Sequence, residues 1–278
     1  MGQSAVNTGL LKGGLPYARL GNGAHRLVIF PGLADSAWDV SSRVWNLPSH
    51  YGGFADEFTV YIVSRKLNLP AGYTTRDMAA DYAAAIEHDI GPATVMGISL
   101  GGYIAQYLAI DFPKCVQRLV IACAAYRVSD EGRRIPERWL ALARENRWRE
   151  FYYDMAKVTI EQYHQTFYQF VVPLMRRRMS IKTDFLVSLG ACLTHDTSSL
   201  VGRIKSPTLV VGGTDDVFFP PALLRETARA IPDAELQFID GGGHGAYELR
   251  KKEFEQVVTE FLHRHSLSVG QQPILTGM

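Results

Sequence analysis

Thr94-Val95-Met96-Gly97-Ile98-Ser99-Leu100-Gly101-Gly102 is the stretch on which the fold turns. Three strand-forming residues run into Gly-x-Ser-x-Gly, and a helical pattern follows from Leu100 to Asp111, stopped ahead of Pro113. A strand that enters a helix through so tight a turn holds the serine in a strained backbone conformation. Side chains two residues to either side would collide, and glycine at 97 and 101 removes both collisions. The hydroxyl then stands clear of the sheet, at a helix N-terminus whose dipole favours negative charge nearby. A five-residue pattern of this kind recurs by chance; the strand–turn–helix setting makes it informative.

The same alternation extends on both sides. Strands are expected at residues 26–30, 59–63, 94–98, 118–122, 208–211 and 235–239, short apolar runs rich in β-branched residues. Helices are expected at 77–89, with Met78, Tyr82 and Ile86 on one face, Thr74 or Thr75 as cap and Gly91-Pro92 as stop. Another is expected at 248–263, burying Phe254, Val257, Val258 and Phe261. This is the pattern of an α/β protein with a mostly parallel sheet flanked by helices. From about 126 to 200 no strand-like run appears. Aromatic residues recur at helical spacing instead (Trp139, Leu142 and Ala143, then Tyr163, Phe167 and Phe170). A single crossover needs only about a dozen residues, so this stretch reads as a helical cap inserted after the strand at 118–122. The expected division is a core of 1–125 with 201–265, a cap at 126–200, and a disordered tail at 266–278.

Composition narrows the function classes. The chain has 278 residues, 29 Lys plus Arg against 28 Asp plus Glu, and a net charge of +1. That balance argues against nucleic-acid binding, which needs a basic excess. With 47% hydrophobic and 21% charged residues the chain is too apolar for disorder. No apolar run reaches the ~20 residues of a membrane span, and residues 1–6 carry neither a secretion signal nor a myristoylation pattern. Three cysteines (115, 123 and 192) lack metal-ligand spacing and cannot all pair. A reduced, cytoplasmic setting is the expectation, with no membrane or nucleic-acid partner, as a monomer or homodimer.

A serine hydroxyl needs a base within hydrogen-bond reach. Of eight histidines, His244 stands out in Gly241-Gly242-Gly243-His244-Gly245, directly after the strand at 235–239. Glycines there let the backbone set an imidazole at the carboxyl end of a strand, where sites in open parallel sheets lie. An acid must then fix the imidazole tautomer. Asp215 and Asp216 follow the strand at 208–211, in Gly212-Gly213-Thr214-Asp215-Asp216-Val217-Phe218-Phe219-Pro220. The chain order is serine, acid, histidine, unlike that of chymotrypsin or subtilisin.

With these residues in hand, the chain from about Leu27 to Leu262 resembles the α/β-hydrolase fold, in particular its capped carboxylesterase, lactonase and carbon–carbon hydrolase group. The resemblance implies that the acid lies four residues before a proline. That selects Asp216, before Pro220, and leaves Asp215 as a turn residue. It also implies two backbone N–H groups forming an oxyanion hole, those of Leu100 and of Leu33 in Pro31-Gly32-Leu33. Relatives usually read His-Gly-x there, and this chain lacks the histidine. Many relatives also carry Asp-x-x-Gly-x-Gly after the next strand; here the stretch is Ser64-Arg65-Lys66-Leu67-Asn68-Leu69-Pro70. Arg65 reads as a surface or ion-paired arginine, with substrate contact as the alternative.

The expected activity is therefore a serine hydrolase cleaving carboxylic esters of small to medium acyl groups, through Ser99, His244 and Asp216. Carbon–carbon hydrolysis of a vinylogous diketone, lactonase, thioesterase and cofactor-free haloperoxidase chemistry can use the same triad. A ligand receptor on this scaffold is the non-enzyme alternative. Dehalogenase and epoxide-hydrolase readings are disfavoured, because such relatives carry Asp where this chain has Ser99. No metal-ligand, nucleotide-cradling or redox motif is visible, so no cofactor is expected. The basic run Met175-Arg176-Arg177-Arg178-Met179 reads as a solvated face. Trp38, Tyr103, Tyr163 and Phe167 read as core, and Cys123 as apolar strand filler.

Overall fold

The computed structural model describes residues 6–36, 39–159 and 183–266. Its described strands are β1 (Asn7–Leu11), β2 (Leu15–Leu20), β3 (His25–Phe30), β4 (Phe58–Val63), β5 (Ala93–Ile98), β6 (Val116–Ala122), β7 (Thr208–Gly213) and β8 (Glu235–Ile239). They form one sheet in the order β1-β2-β4-β3-β5-β6-β7-β8. From β4 to β8 every pairing is parallel; β2 is antiparallel to both β1 and β4. All six expected strands are present, extended at their ends by up to two residues. The β1–β2 hairpin was not foreseen. Asn7-Thr8-Gly9-Leu10-Leu11 has no strand alternation, the strand lies largely exposed, and Pro16 interrupts the apolar pattern of its partner.

Larger helices connect the strands: α1 (Leu47–Tyr51), α2 (Thr75–Ala85), α3 (Leu100–Asp111), α4 (Asp130–Arg144), α5 (Trp148–Thr159), α6 (Thr183–Thr194), α7 (Pro221–Ala230), α8 (Ala246–Leu249) and α9 (Lys251–Arg264). Thr74, not Thr75, caps α2, in a reciprocal bond with Asp77. These bonds hold the Asp77 carboxyl below its usual range, the Thr74 hydroxyl contributing most. The α-helical bonding ends at Ala85 and a wider π turn runs over Ile86–Ile90, so the helix expected at 77–89 is shorter than its periodicity suggested. Gly91 ends that turn at φ 84°. The helix expected at 248–263 is two: Arg250, at φ −112° and ψ 38°, breaks α8 from α9.

Successive strand residues point to opposite faces, and here both faces are buried. Val28 and Phe30 of β3, Val95 of β5 and Ile121 of β6 join one cluster with α2, α3 and α7. Leu27, Ile29, Met96, Val120 and Val211 join the other, closed by Phe254, Val258 and Phe261 of α9. Burial on both faces makes these strands read as near-continuous apolar runs. Between β6 and β7, which are adjacent in the sheet, the chain passes through α4, α5 and α6. Tyr163, Phe167, Phe170, Trp38, the 175–179 basic run and residues 267–278 of the expected tail lie outside the described residues. Among the described residues, no helix is long and apolar enough to cross a membrane.

Candidate functional site

Ser99 directly follows β5, at φ 53° and ψ −117°, a region an L-residue enters only under constraint. The constraint is local. Its N–H donates to the Ala122 carbonyl of β6 at 2.9 Å, and its carbonyl accepts from Gly102 N–H at 2.8 Å. A Cβ on Gly97 would sit 2.3 Å from the Gly101 carbonyl oxygen, and one on Gly101 would sit 1.9 Å from that of Phe30. The second glycine is thus needed for close approach of α3 to β3.

Ser99 Oγ lies 3.0 Å from His244 Nε2. His244 Nδ1 lies 2.9 Å from Asp216 Oδ2. The other carboxylate oxygen of Asp216 accepts the backbone N–H groups of Phe218 (2.8 Å) and Phe219 (3.2 Å). The Asp216 side chain is fully buried and that of His244 is 12% exposed, so solvent reaches the relay at His244 and Ser99 and not at the acid. Three strands deliver it, each at its carboxyl end: β5 the serine, β7 the acid and β8 the histidine. The loops after β7 and β8 are stitched together by Thr214 N–H to the Ile239 carbonyl (3.1 Å), Asp215 N–H to the Gly242 carbonyl (2.8 Å) and Gly241 N–H to Thr214 Oγ1 (2.8 Å).

Of the two neighbouring aspartates, Asp216 meets the imidazole while Asp215 is exposed, its carboxylate accepting from Thr214 Oγ1. Leu33 and Leu100 are the first residues of a 3₁₀ turn (Leu33–Ser36) and of α3. First-turn N–H groups have no carbonyl one turn back, which leaves them free to meet an anion. A Cβ on Gly32 would lie 3.5 Å from Ser99 Cβ, so the loop after β3 passes directly over the serine. Phe218 packs edge-on against His244 at a ring separation of 4.7 Å, with Phe219 at 5.7 Å. Trp139 of α4 packs on Phe218 at 5.8 Å, bringing the helices after β6 against the acid loop. Burial pushes the Cys123 thiol well above its usual range, consistent with a filler role.

Arg65 departs from expectation. It is 4% exposed, not a surface residue, and its guanidinium meets backbone carbonyls of the loop over Ser99. The ion-paired half of the expectation holds loosely, with Asp35 Oδ2 at 3.7 Å. No motif marks this contact. It follows from β3 and β4 being parallel neighbours, so that Asp35-Ser36 and Ser64-Arg65 emerge side by side.

The hydrogen-bonded chain from carboxylate to imidazole to hydroxyl can raise the nucleophilicity of an alcohol and shuttle one proton. The chain is similar in sequence and fold to known proteins. A Mycobacterium tuberculosis (strain ATCC 25618 / H37Rv) protein named for non-heme bromoperoxidase activity, BpoC, is 32% identical over 195 residues, 64% of this chain and 71% of its own. A 2-hydroxy-6-oxononadienedioate/2-hydroxy-6-oxononatrienedioate hydrolase of Pseudomonas sp is 27% identical over 278 residues, 93% of this chain and 95% of its own. The crystal structure of the enol-lactonase from Burkholderia xenovorans LB400 superposes with a TM-score of 0.73 at 19% identity, over 92% of this chain and 100% of that one. Residues 27–257 match the alpha/beta hydrolase family, and with the sheet order and the strand–turn–helix serine in place, the chain belongs to that family.

Proposed function

We propose that the protein is a serine hydrolase that cleaves carboxylic esters of small to medium acyl groups. The observation that carries this reading is the unbroken relay from Asp216 through His244 to Ser99. With Nδ1–H donating to Asp216, Nε2 is left as the acceptor for the Ser99 hydroxyl proton. Ser99 Oγ attacks the ester carbonyl carbon as that proton passes to Nε2. The carbonyl oxygen becomes an oxyanion, met by the N–H groups of Leu33 and Leu100. The tetrahedral adduct collapses, the imidazolium returns its proton to the departing alkoxide, and an acyl-enzyme and an alcohol result. Water then attacks the acyl carbon with Nε2 taking its proton, and the imidazolium returns that proton to Ser99 Oγ as the acyl–oxygen bond breaks and the carboxylic acid leaves. Water is the only co-reactant, so the balance requires no cofactor.

Residues 126–200 are read as a cap over this site. Phe218 and Phe219 of the loop after β7, against His244 and backed by Trp139 of α4, give the site an apolar wall that suits an acyl chain. Carbon–carbon hydrolysis is the second reading. It draws support from the Pseudomonas hydrolase, whose similarity spans nearly the whole chain, and it would run through the same three side chains.

A graded panel of p-nitrophenyl esters, lactones and vinylogous diketones, run beside Ser99→Ala, separates these. Ester turnover in the wild type that falls by about 10⁶-fold in Ser99→Ala, with an unchanged melting temperature, is the expected result. Faster turnover of diketones than of any ester would favour the second reading. One slow turnover with a ligand-dependent melting shift would favour a receptor, and hydrolysis that survives Ser99→Ala would overturn the assignment.

A further inference from the structure

We infer that Arg65 is a positioning residue that holds the oxyanion-side loop over Ser99. The inference rests on the hydrolase reading above and extends it to a side chain outside the triad. Arg65 Nη1 donates to the Pro31 carbonyl at 3.0 Å, and Nη2 donates to the Gly32 carbonyl at 2.9 Å. Nη2 also lies 3.5 Å from the Leu33 carbonyl and donates to Ser36 Oγ at 2.9 Å, with Nε 3.3 Å from the same hydroxyl. One planar fork thus takes the carbonyls of consecutive residues, together with the hydroxyl that ends the turn. A lysine, with a single ammonium, cannot span that set.

The consequence follows from peptide geometry. A trans peptide is planar and holds its C=O and the following N–H in opposite directions. No cis peptide is present among the described residues. Fixing the Gly32 carbonyl toward Arg65 therefore fixes the Leu33 N–H away from it. Ser99 lies against Gly32, 3.5 Å from where a Cβ would stand. The guanidinium grips the carbonyl edge of the loop and leaves the amide edge for the reaction.

The fork is itself held. Asp35 Oδ2 lies 3.3 Å from the Arg65 backbone nitrogen, while Asp35 Oδ1 accepts from Ser64 Oγ at 2.7 Å and from Arg43 Nη2 at 3.2 Å. Ser64 Oγ in turn accepts Val40 N–H at 2.8 Å. Ser36 Oγ reaches Ser188 Oγ of α6 at 2.9 Å, so the hub also touches the helices between β6 and β7. Arg65 and Asp35 are both buried, and the cost of burying each charge is offset by the other and by the bonds around them. The loop at Pro31 and Gly32 thus takes its support from the segment that directly follows β4.

The test uses Arg65→Met and Arg65→Lys beside the wild type and Ser99→Ala. The readouts are kcat and KM on p-nitrophenyl butyrate, the Ki of a short alkyl trifluoromethyl ketone, and hydrogen exchange in peptides covering 31–40. Misplacing a reacting group by about 1 Å costs on the order of 10²-fold in rate. In Arg65→Met, kcat is expected to fall by about that factor with KM little changed, and the ketone Ki to rise in parallel. Exchange across 31–40 is expected to quicken while the peptides of β5 and β6 keep wild-type protection. Arg65→Lys, which keeps the charge and loses the fork, is expected to follow the same pattern more weakly, and it carries the test if the methionine variant does not fold. A folded Arg65 variant with wild-type exchange in 31–40, or with wild-type kcat and ketone affinity, overturns the inference. Hydrolysis that persists in Ser99→Ala sinks the proposed function instead, and the exchange result then decides the clamp by itself.

Discussion

Asp215 and Asp216 are chemically identical neighbours with opposite fates, and the difference is made by what surrounds each carboxylate. Asp216 uses one oxygen on His244 and the other on two backbone N–H groups, with no solvent access. Asparagine there would present an NH₂ group to one of these donors or force the wrong imidazole tautomer. Asp216→Asn is expected to lower kcat by about 10⁴-fold, while Asp215→Asn stays near wild type. Steady-state kinetics of both variants checks this, and equal losses would move the acid role off Asp216. His195 supplies a prediction in pH. Its ring lies stacked on Tyr103 at 3.8 Å, with Nδ1 bonded to Thr75 Oγ1 at 2.9 Å and Nε2 without a partner among the described residues. Burial drives its pKa down to about 3, below the ordinary 6.5. Between those values the unfolded chain takes up a proton that the folded chain refuses, so stability is lost as pH falls from 6.5 toward 3. His195→Phe, which keeps a ring on Tyr103, is expected to flatten the fall of the urea midpoint between pH 7 and pH 4.5; an unchanged slope would contradict the burial argument.

At the scale of elements, the site depends on α3 approaching β3 closely enough to leave no room for a methyl group at residue 101. Gly101→Ala is expected to cost about 3 kcal/mol, a fall in melting temperature of roughly 6–12 °C for a chain of this size. Calorimetry reads it directly, and a shift under about 2 °C would mean the contact relaxes freely. The same element shows what was legible in the sequence. Gly97 to Gly102, the strand before them and the helix after them could be read because each local preference agrees with the fold. That Ser99, Asp216 and His244 meet could be read because each sits in a glycine-rich or turn-rich break after a strand. What could not be read depends on pairing. The β1–β2 hairpin has an exposed partner and hence no burial pattern. The π turn at Ile86–Ile90 leaves the apolar periodicity nearly intact. Arg65 looks like any exposed arginine until β3 and β4 are known to be neighbours.

Across the whole molecule, Ser99, Asp216 and His244 stand on loops that follow strands of the sheet, while the helices between β6 and β7 are fastened down by contacts of their own. Three of the hydrogen-bonded attachments bear on the site. Ser129 N–H donates to the Phe218 carbonyl at 3.1 Å, Ser188 meets Ser36, and Asp184 at the start of α6 accepts the N–H groups of Asn68 (2.9 Å) and Leu69 (2.7 Å). The last is the strongest of these, since a buried carboxylate accepts from two backbone donors in charge-assisted bonds. Its removal leaves the N–H of buried Leu69 unpaired, at a cost of about 2 kcal/mol and a melting shift of roughly 4–8 °C. Because α6 also carries Ser188, losing its anchor is expected to loosen the helices between β6 and β7 more than the sheet. Asp184→Ala is therefore expected to speed the first proteolytic cut between residues 126 and 200 and to change turnover of bulky esters more than that of acetates. Mass mapping of the first tryptic fragments decides between this and a uniform loss of stability: cuts that begin inside β3 to β6, or bulky and small esters affected alike, would show that the two layers yield together rather than one opening upon the other.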